Sequence, residues 1–236
     1  MSAVVIVAGI GKPESRKAIE SVLNQTYPTT CYVVCDGEEY YGRAKVIADD
    51  YRGNPNFKIC FLPINVGANG FYGHRTYAAF SHLVNEDFVS FLDEDCWFNN
   101  DHIESCVSNI ITNNYDWSYS LRNITDKEGN FMCRDNCESL GKWLSWTKDV
   151  LIDTNCYCIK REVLIQLAHV WNGGWGRDRV FPKLMLQHFP KVGCTGNFSS
   201  NYRLSGNEGS VTSDFFERGN QVMMDLYKGD LPWVRA

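Results

Sequence analysis

The sequence has no apolar run long enough to cross a bilayer as a helix, so nothing in it calls for a transmembrane segment. Its first residues, Met1-Ser2-Ala3-Val4-Val5-Ile6-Val7-Ala8, lack the basic n-region and extended h-region of a signal peptide and are expected to form a first strand. Basic charge is not in excess. Lys and Arg number 23 against 28 Asp and Glu, a formal net charge of -5, which gives no support for extended contact with a nucleic-acid backbone. The usual nucleotide fingerprints are missing too: after Gly9-Ile10-Gly11 the third glycine would have to be Glu14, and no P-loop pattern occurs. No cysteines show Cys-x-x-Cys spacing, Cys133 and Cys137 have no suitable His pair after them, and the five histidines form no ligand spacing, so a structural zinc site is not expected. There is no internal repeat or low-complexity tract.

The 236 residues are 44% hydrophobic and 14% aromatic, enough for one substantial core and a single expected domain over 1–236. Ten cysteines is a high count, and Cys31, Cys35, Cys60, Cys156 and Cys158 lie in apolar, strand-like runs. Free cysteine behaves as a small buried hydrophobe, so these are expected to be mostly reduced thiols of a cytoplasmic protein. Asn123-Ile124-Thr125 fits a glycosylation sequon, which carries little meaning without secretion.

Through about residue 100 the pattern alternates strand and helix. Val4 to Ala8, Cys31 to Cys35, Phe57 to Leu62 and Phe88 to Leu92 read as strands; Ala18 to Gln25, Ala44 to Tyr51 and about Tyr72 to Val84 read as helices. This alternation predicts an α/β fold built on a mostly parallel sheet with right-handed crossovers. Beyond residue 100 the signals are less regular. A helix over His102 to Ile111, a strand over Trp117 to Leu121 and a hairpin turn at Asp126 to Asn130 are expected, while 133–150 resists assignment. Asp153 to Ile159 reads as a strand and Arg161 to His169 as a helix. A mobile glycine-rich loop, Trp171 to Gly176, precedes a helix over Val180 to Phe189 with Pro182 in its first turn. A strand over Asn197 to Leu204 and a helix over Asp214 to Lys228 complete the chain.

The fourth strand closes on Asp93-Glu94-Asp95. In open α/β sheets ligands gather at the carboxyl ends of strands, and Asp-x-Asp is hard oxygen ligation suited to Mg2+ or Mn2+ shared with substrate phosphates. A solvated acidic turn satisfies the same pattern.

Six segments, in order along the chain, resemble glycosyltransferase family 2, whose fold is of the GT-A type. Ser21-Val22-Leu23-Asn24-Gln25-Thr26-Tyr27-Pro28 is similar to the family's first-helix ending, and Val33-Val34-Cys35-Asp36-Gly37-Glu38 to its second-strand ending. Asn65-Val66-Gly67 followed by Arg75 looks like the segment before the metal strand, with residues inserted. Phe91 to Asp95 matches the Asp-x-Asp segment, Asp153 to Glu162 the strand-to-helix unit before the acceptor loop, and Trp175-Gly176-Arg177-Asp178 the segment that usually reads Gly-Glu-Asp. Four departures stand out. Ala8-Gly9-Ile10-Gly11 replaces the usual Pro-Thr-Tyr-Asn, Cys35 replaces the first aspartate of a pair, Arg177 replaces a glutamate, and Ser205 stands where many relatives carry histidine.

The resemblance implies a metal-dependent glycosyltransferase that takes a nucleotide-diphosphate sugar, a UDP-sugar being favoured, to a hydroxyl of a glycan or other acceptor. Residues 1–100 would form the nucleotide-sugar-binding half and 101–236 the acceptor-binding and catalytic half. It implies Asp95 as the more direct ligand of Mn2+ or Mg2+, with Asp93 at the ribose or the ion's water shell, and a role at the donor for Ala8, Gly9, Lys12, Asp36, Arg75, Glu94 and Arg203. Asp36 would accept the N–H of a uracil ring; a turn-forming aspartate before Gly37 reads the same way. Arg75, Lys12 and Arg203 are diphosphate contacts or ordinary surface charges. Asp178 is implied as the general base of an inverting transfer, an N-cap being the plainer reading. Trp171 and Trp175 are sugar platforms or core residues. A sugar-nucleotide nucleotidyltransferase would require a Gly-x-Gly-x-Arg…Pro-Lys loop that Gly9 to Lys17 lacks, and a catalytically silent sugar-binding relative is opposed by Asp93, Asp95 and Asp178 together.

Overall fold

The computed structural model describes residues 1–204 and 211–235. Apolar runs make the first half a set of parallel strands: β1 (Ala3–Gly9), β2 (Thr29–Asp36), β3 (Phe57–Leu62) and β4 (Phe88–Asp93), with β1 pairing β2 and β4, and β2 pairing β3. Helices α1 (Ser15–Leu23), α2 (Tyr41–Asp49) and α3 (His74–Leu83) connect them, each within a few residues of its expected bounds. The register sets Asp93 beside Ala8 and Gly9 beside Cys35, so β1, β2 and β4 end at one level.

β1 shows how the sheet holds both layers. Val4, Ile6 and Ala8 face a core shared with Tyr77, Phe80 and Trp171, while Ala3, Val5 and Val7 face a second core with Ala18, Ile19 and Val22 of α1 and Ile103, Val107 and Ile110. Burial on both faces explains why this strand reads as a continuous apolar run. Each fully buried aliphatic side chain contributes about 1.5–3 kcal/mol.

The second half continues the sheet with mixed direction. It comprises β5 (Trp97–Phe98), α4 (His102–Asn113), β6 (Trp117–Thr125), β7 (Phe131–Arg134), β8 (Tyr157–Lys160), α5 (Arg161–Leu167), α6 (Arg177–His188), β9 (Val192–Arg203) and α7 (Ser213–Leu226). Strand order is β3-β2-β1-β4-β8-β6-β9-β5, with β7 on β6; β8 runs antiparallel to both neighbours, and β6 and β9 run parallel. The Asp126–Asn130 turn forms as expected, its two backbones bonded at 3.0 Å.

Four boundaries differ from expectation, the first being β6, which runs past the expected Leu121 to Thr125 because its pairing with β9 continues to Thr125↔Arg203. The strand expected from Asp153 begins only at Tyr157, because the Asp153 carboxylate accepts the Asn155 N–H and starts a 3-10 turn over Thr154–Cys156. α6 begins at Arg177 and not Val180, so Pro182 lies inside the helix. Gly176 at its N-cap takes a left-handed conformation (φ 87), and Pro182, lacking an N–H, leaves the carbonyl of Asp178 without its helical donor. β9 starts at Val192, earlier than Asn197, because pairing with β6 from Trp117↔Val192 onward holds a Gly- and Thr-containing stretch extended. Among the described residues no helix is long and apolar enough to cross a membrane. All ten cysteines are free, and Cys60 and Cys133 are the two not fully buried.

Candidate active site

A cleft of about 690 Å³ opens over the carboxyl ends of β1, β2 and β4 and is closed on its far side by residues of the second half. Its first wall is the β1–α1 loop. Glu94, expected to touch donor, lines the cleft from beneath that loop and is buried, one carboxylate oxygen accepting the Ile10 N–H at 3.0 Å and the other the Lys12 N–H at 2.9 Å. A Cβ on Gly9 would lie 2.5 Å from that carboxylate, so this loop requires glycine where the family's usual segment does not. The departure at Ala8-Gly9-Ile10-Gly11 and the buried Glu94 are one arrangement.

The carboxylates of the metal motif occupy different environments. Asp95 keeps 25% of its side chain exposed and holds the Lys12 ammonium at 3.0 Å. Burial works against the Lys12 charge, but Asp95, with Glu94 and Asp93, outweighs it and raises the pKa above the ordinary lysine value. Asp93 accepts the Tyr77 hydroxyl at 2.8 Å and the Asn155 amide at 3.1 Å. Burial, followed by the like charges of Asp95 and Asp153, pushes its pKa up to about 7. Among the described residues, seven carboxylates line the cleft against four Lys and Arg side chains. That deficit of positive charge, and the proton Asp93 would hold near neutrality to relieve it, fit a divalent cation. No three His, Cys, Asp or Glu side chains among the described residues converge to enclose one. The residues therefore fit an ion held by one or two carboxylates and substrate phosphates, the usual Mg2+ arrangement.

Asp36, at the end of β2, is buried, and its two oxygens accept the Val66 and Gly67 N–H groups at 2.7 Å each. Gly67 cannot be replaced without movement: an added Cβ would sit 2.2 Å from the Tyr72 carbonyl and 2.8 Å from Asp36. The inserted residues thus fold into a tight loop in which the Gly67 carbonyl accepts the Phe71 and Tyr72 N–H groups. Arg75 does not line the cleft. Its guanidinium lies 3.3 Å from the centre of the Phe71 ring, and its Nη1 meets the Val66 carbonyl at 3.5 Å. Arg203 does line it, but its Nε donates to the Asp95 carbonyl at 3.0 Å and its Nη1 to that of Lys127 at 2.8 Å, bracing the metal-motif backbone.

Asp178 enters from the first turn of α6. Burial raises its pKa, against the lowering effect of Arg179; Asp153 raises it further and His74 lowers it. A carboxylate with raised pKa is a better proton acceptor. Arg177, whose place beside Asp178 suggests a lowered basicity, extends instead along Gly173, where an added Cβ would meet its Nε at 2.0 Å. The two tryptophans separate. Trp171 is fully buried against Phe91, Phe181 and His74, so it is core, while Trp175 is 77% exposed on the cleft rim with the Arg179 guanidinium 5.8 Å from its ring. Ser205 lies outside the described residues.

Sequence reasoning did not single out Tyr77, Asn155, Arg122 or Glu138. Arg122 lies just past the expected Trp117–Leu121 strand and falls inside β6 only because that strand runs on to Thr125; nothing in local spacing marks the others.

A family model described as glycosyl transferase family 2 matches residues 3–167. Among curated protein sequences no match is found. Similar solved structures include S. aureus TarS 1–349 in complex with UDP-GlcNAc, with 15% identity and a TM-score of 0.66 over 100% of this chain and 69% of that one. A longer S. aureus TarS structure gives a TM-score of 0.61 at 15% identity, covering 100% of this chain and 41% of that chain. The mannosyltransferase PcManGT from Pyrobaculum calidifontis in complex with GDP-Man and Mn2+ is 13% identical, with a TM-score of 0.61 over 87% of this chain and 58% of that chain. At these identities the likeness is one of fold, and it is the expected GT-A type α/β arrangement.

Proposed function

The chain belongs to glycosyltransferase family 2, and from that premise we propose that it moves a sugar from a UDP-sugar, UDP-glucose being the first to test, to a hydroxyl of a glycan or other acceptor with inversion at the anomeric carbon. The observation that carries this reading is the meeting of Asp95 and Asp93 from the end of β4 with Asp178 from the start of α6 in one cleft. We take residues 1–236 as one transferase domain, with donor recognition in 1–100 and acceptor chemistry in 101–236. The cytoplasmic assignment rests on the ten cysteines, all free thiols.

Asp95, with Asp93 beside it, would hold Mn2+ or Mg2+, whose contribution is Lewis-acid neutralisation of charge on the diphosphate leaving group. Lys12 adds a cation on the same side. Asp36 supports a uracil because a carboxylate offers about four lone-pair sites and two are taken by backbone N–H groups. Asp178 takes the proton of the acceptor hydroxyl as that oxygen attacks the anomeric carbon, and the sugar–phosphate bond breaks on the opposite face. Two complexes of similar fold hold UDP-GlcNAc, and GDP-Man with Mn2+, which agrees with a nucleotide-sugar donor and does not choose between bases.

Calorimetry with UDP and with GDP, each with and without Mn2+, tests the donor. UDP should bind more tightly with Mn2+ than without, and the Asp93→Asn, Asp95→Asn double variant should lose that gain while remaining folded. A variant that binds UDP as well as wild type with Mn2+ present places the donor site elsewhere, and GDP binding about tenfold tighter than UDP, about 1.4 kcal/mol, overturns the base assignment.

A further inference from the structure

We infer that Arg122 is a positioning residue: through one continuous series of polar contacts it ties Asp93, on the donor side of the cleft, to Arg179, beside the proposed base. The inference rests on the transferase reading above.

The series starts at Asn155, which is completely buried. Its Oδ1 accepts the Asp93 N–H at 2.6 Å, and its Nδ2 donates to Asp93 Oδ2 at 3.1 Å and to Asp153 Oδ1 at 2.8 Å. Asn155 therefore holds both the backbone and the side chain of Asp93. The other oxygen of Asp153 accepts Arg122 Nη1. Arg122 Nη2 donates to Glu138 Oε2 at 2.5 Å, and Glu138 Oε1 faces Arg179 Nη2 at 3.7 Å. Arg122 itself cannot swing: its Nε donates to Asp135 at 2.7 Å, Asp135 accepts the N–H groups of Cys137, Glu138 and Ser139, and the Tyr202 and Phe216 rings cover the guanidinium.

These residues come from β6, the loop after β7, the turn before β8 and α6, so no local structure forces them together. Stability does not explain the cluster either. One buried guanidinium faces Asp135, Glu138 and Asp153, and such groups are often no more stabilising than well-packed apolar side chains of similar size. What the cluster supplies is direction, since each link is a hydrogen bond or ion pair running from Asp93 through buried Arg122 to Arg179, and Arg122, Glu138 and Asp153 themselves form cleft wall. Transfer requires the donor held by the Asp93 side and the proton acceptor on α6 to keep their separation, and a misplacement of about 1 Å can cost on the order of 10²-fold in rate.

The test compares Asn155→Ala, Glu138→Gln and the double variant, each verified as folded by thermal unfolding, using the affinity for UDP with Mn2+ and the turnover of UDP-glucose hydrolysis at saturating donor. Asn155→Ala should weaken UDP binding about tenfold and lower turnover about tenfold. Glu138→Gln should leave UDP affinity within about twofold and lower turnover about tenfold. The double variant should lose less turnover than the product of the single losses, because both break the same strut. Arg122→Met should show both defects; should it fail to fold, the other three variants decide the matter alone. Wild-type UDP affinity in Asn155→Ala, or multiplicative losses in the double variant, overturns the inference. Wild-type protein that binds neither UDP nor GDP with Mn2+ overturns the transferase reading, and this inference with it.

Discussion

The two halves of the chain bring residues to the same cleft by different means. Residues 1–100 deliver Gly9, Asp36, Asp93 and Asp95 from the ends of parallel strands, where backbone register sets the position and the motif residues follow directly from the strand. Residues 101–236 deliver Asp153, Asp178 and Trp175 from a turn, a helix start and a glycine-bearing loop, held by the Arg122 ion cluster and by the burial of Trp171. The wall proposed to take the donor is thus made by hydrogen-bonded backbone, and the wall proposed to take the acceptor by side-chain contacts. Single side-chain changes should therefore separate binding from chemistry.

The largest separation is expected at Asp178. Asp178→Asn should reduce transfer by about 10²–10⁴-fold, the usual range for a general base, and leave UDP affinity with Mn2+ near wild type. Turnover and calorimetry on one preparation check it, and retention at the product's anomeric carbon, read from NMR coupling constants, would break the assignment even if activity were lost.

Next comes the pair of tryptophans that flank one loop. Trp171→Ala removes a fully buried side chain and should cost about 3–5 kcal/mol of unfolding free energy. Trp175→Ala removes one that is 77% exposed and should stay within about 0.5 kcal/mol, while raising the acceptor KM. Chemical denaturation of both variants decides it; equal losses would show that the rim and the core of this loop are not distinct.

The smallest effect is that of pH on the donor side. Because burial and the neighbouring carboxylates raise Asp93 from 3.8 to about 7, the folded protein binds that proton more tightly than the unfolded chain does. The ionised form thus costs stability above about pH 7, and the cost falls as pH drops toward the unfolded value. Asp93→Asn should raise Tm more at pH 8 than at pH 5. A proton on Asp93 also opposes a cation, so UDP affinity with Mn2+ should be weaker at pH 6 than at pH 8, by no more than about tenfold for one titrating group. An effect of the same size in the Asp93→Asn variant would assign the titration to another group.

How far the site was legible follows the same division. β1 to β4 could be read because strands buried on both faces leave continuous apolar runs, and Asp93-Glu94-Asp95 follows immediately on one of them. The choice among the three carboxylates could not be read: only the fold shows that Glu94 is spent on the Ile10 and Lys12 N–H groups while Asp95 stays open to the cleft. Arg75 resembled a donor contact by position, yet the inserted loop carries Phe71 under its guanidinium. Pro182 looked like a helix start because proline is common there, but Gly176 allowed the helix to begin a turn earlier and put Asp178 in that turn.

By itself, then, the sequence determined the alternation of strands and helices in residues 1–100, the acidic end of β4 and the family to which the chain belongs, because these depend on residues adjacent in the chain and on the period of their side chains. Tertiary structure alone decided which tryptophan is core, which carboxylate is open and how Asn155, Asp153, Arg122 and Glu138 join the two sides of the cleft. Those outcomes depend on desolvation and on hydrogen bonds between residues far apart in sequence, such as Asp93 and Asn155, and no local pattern encodes a partner that only folding brings near.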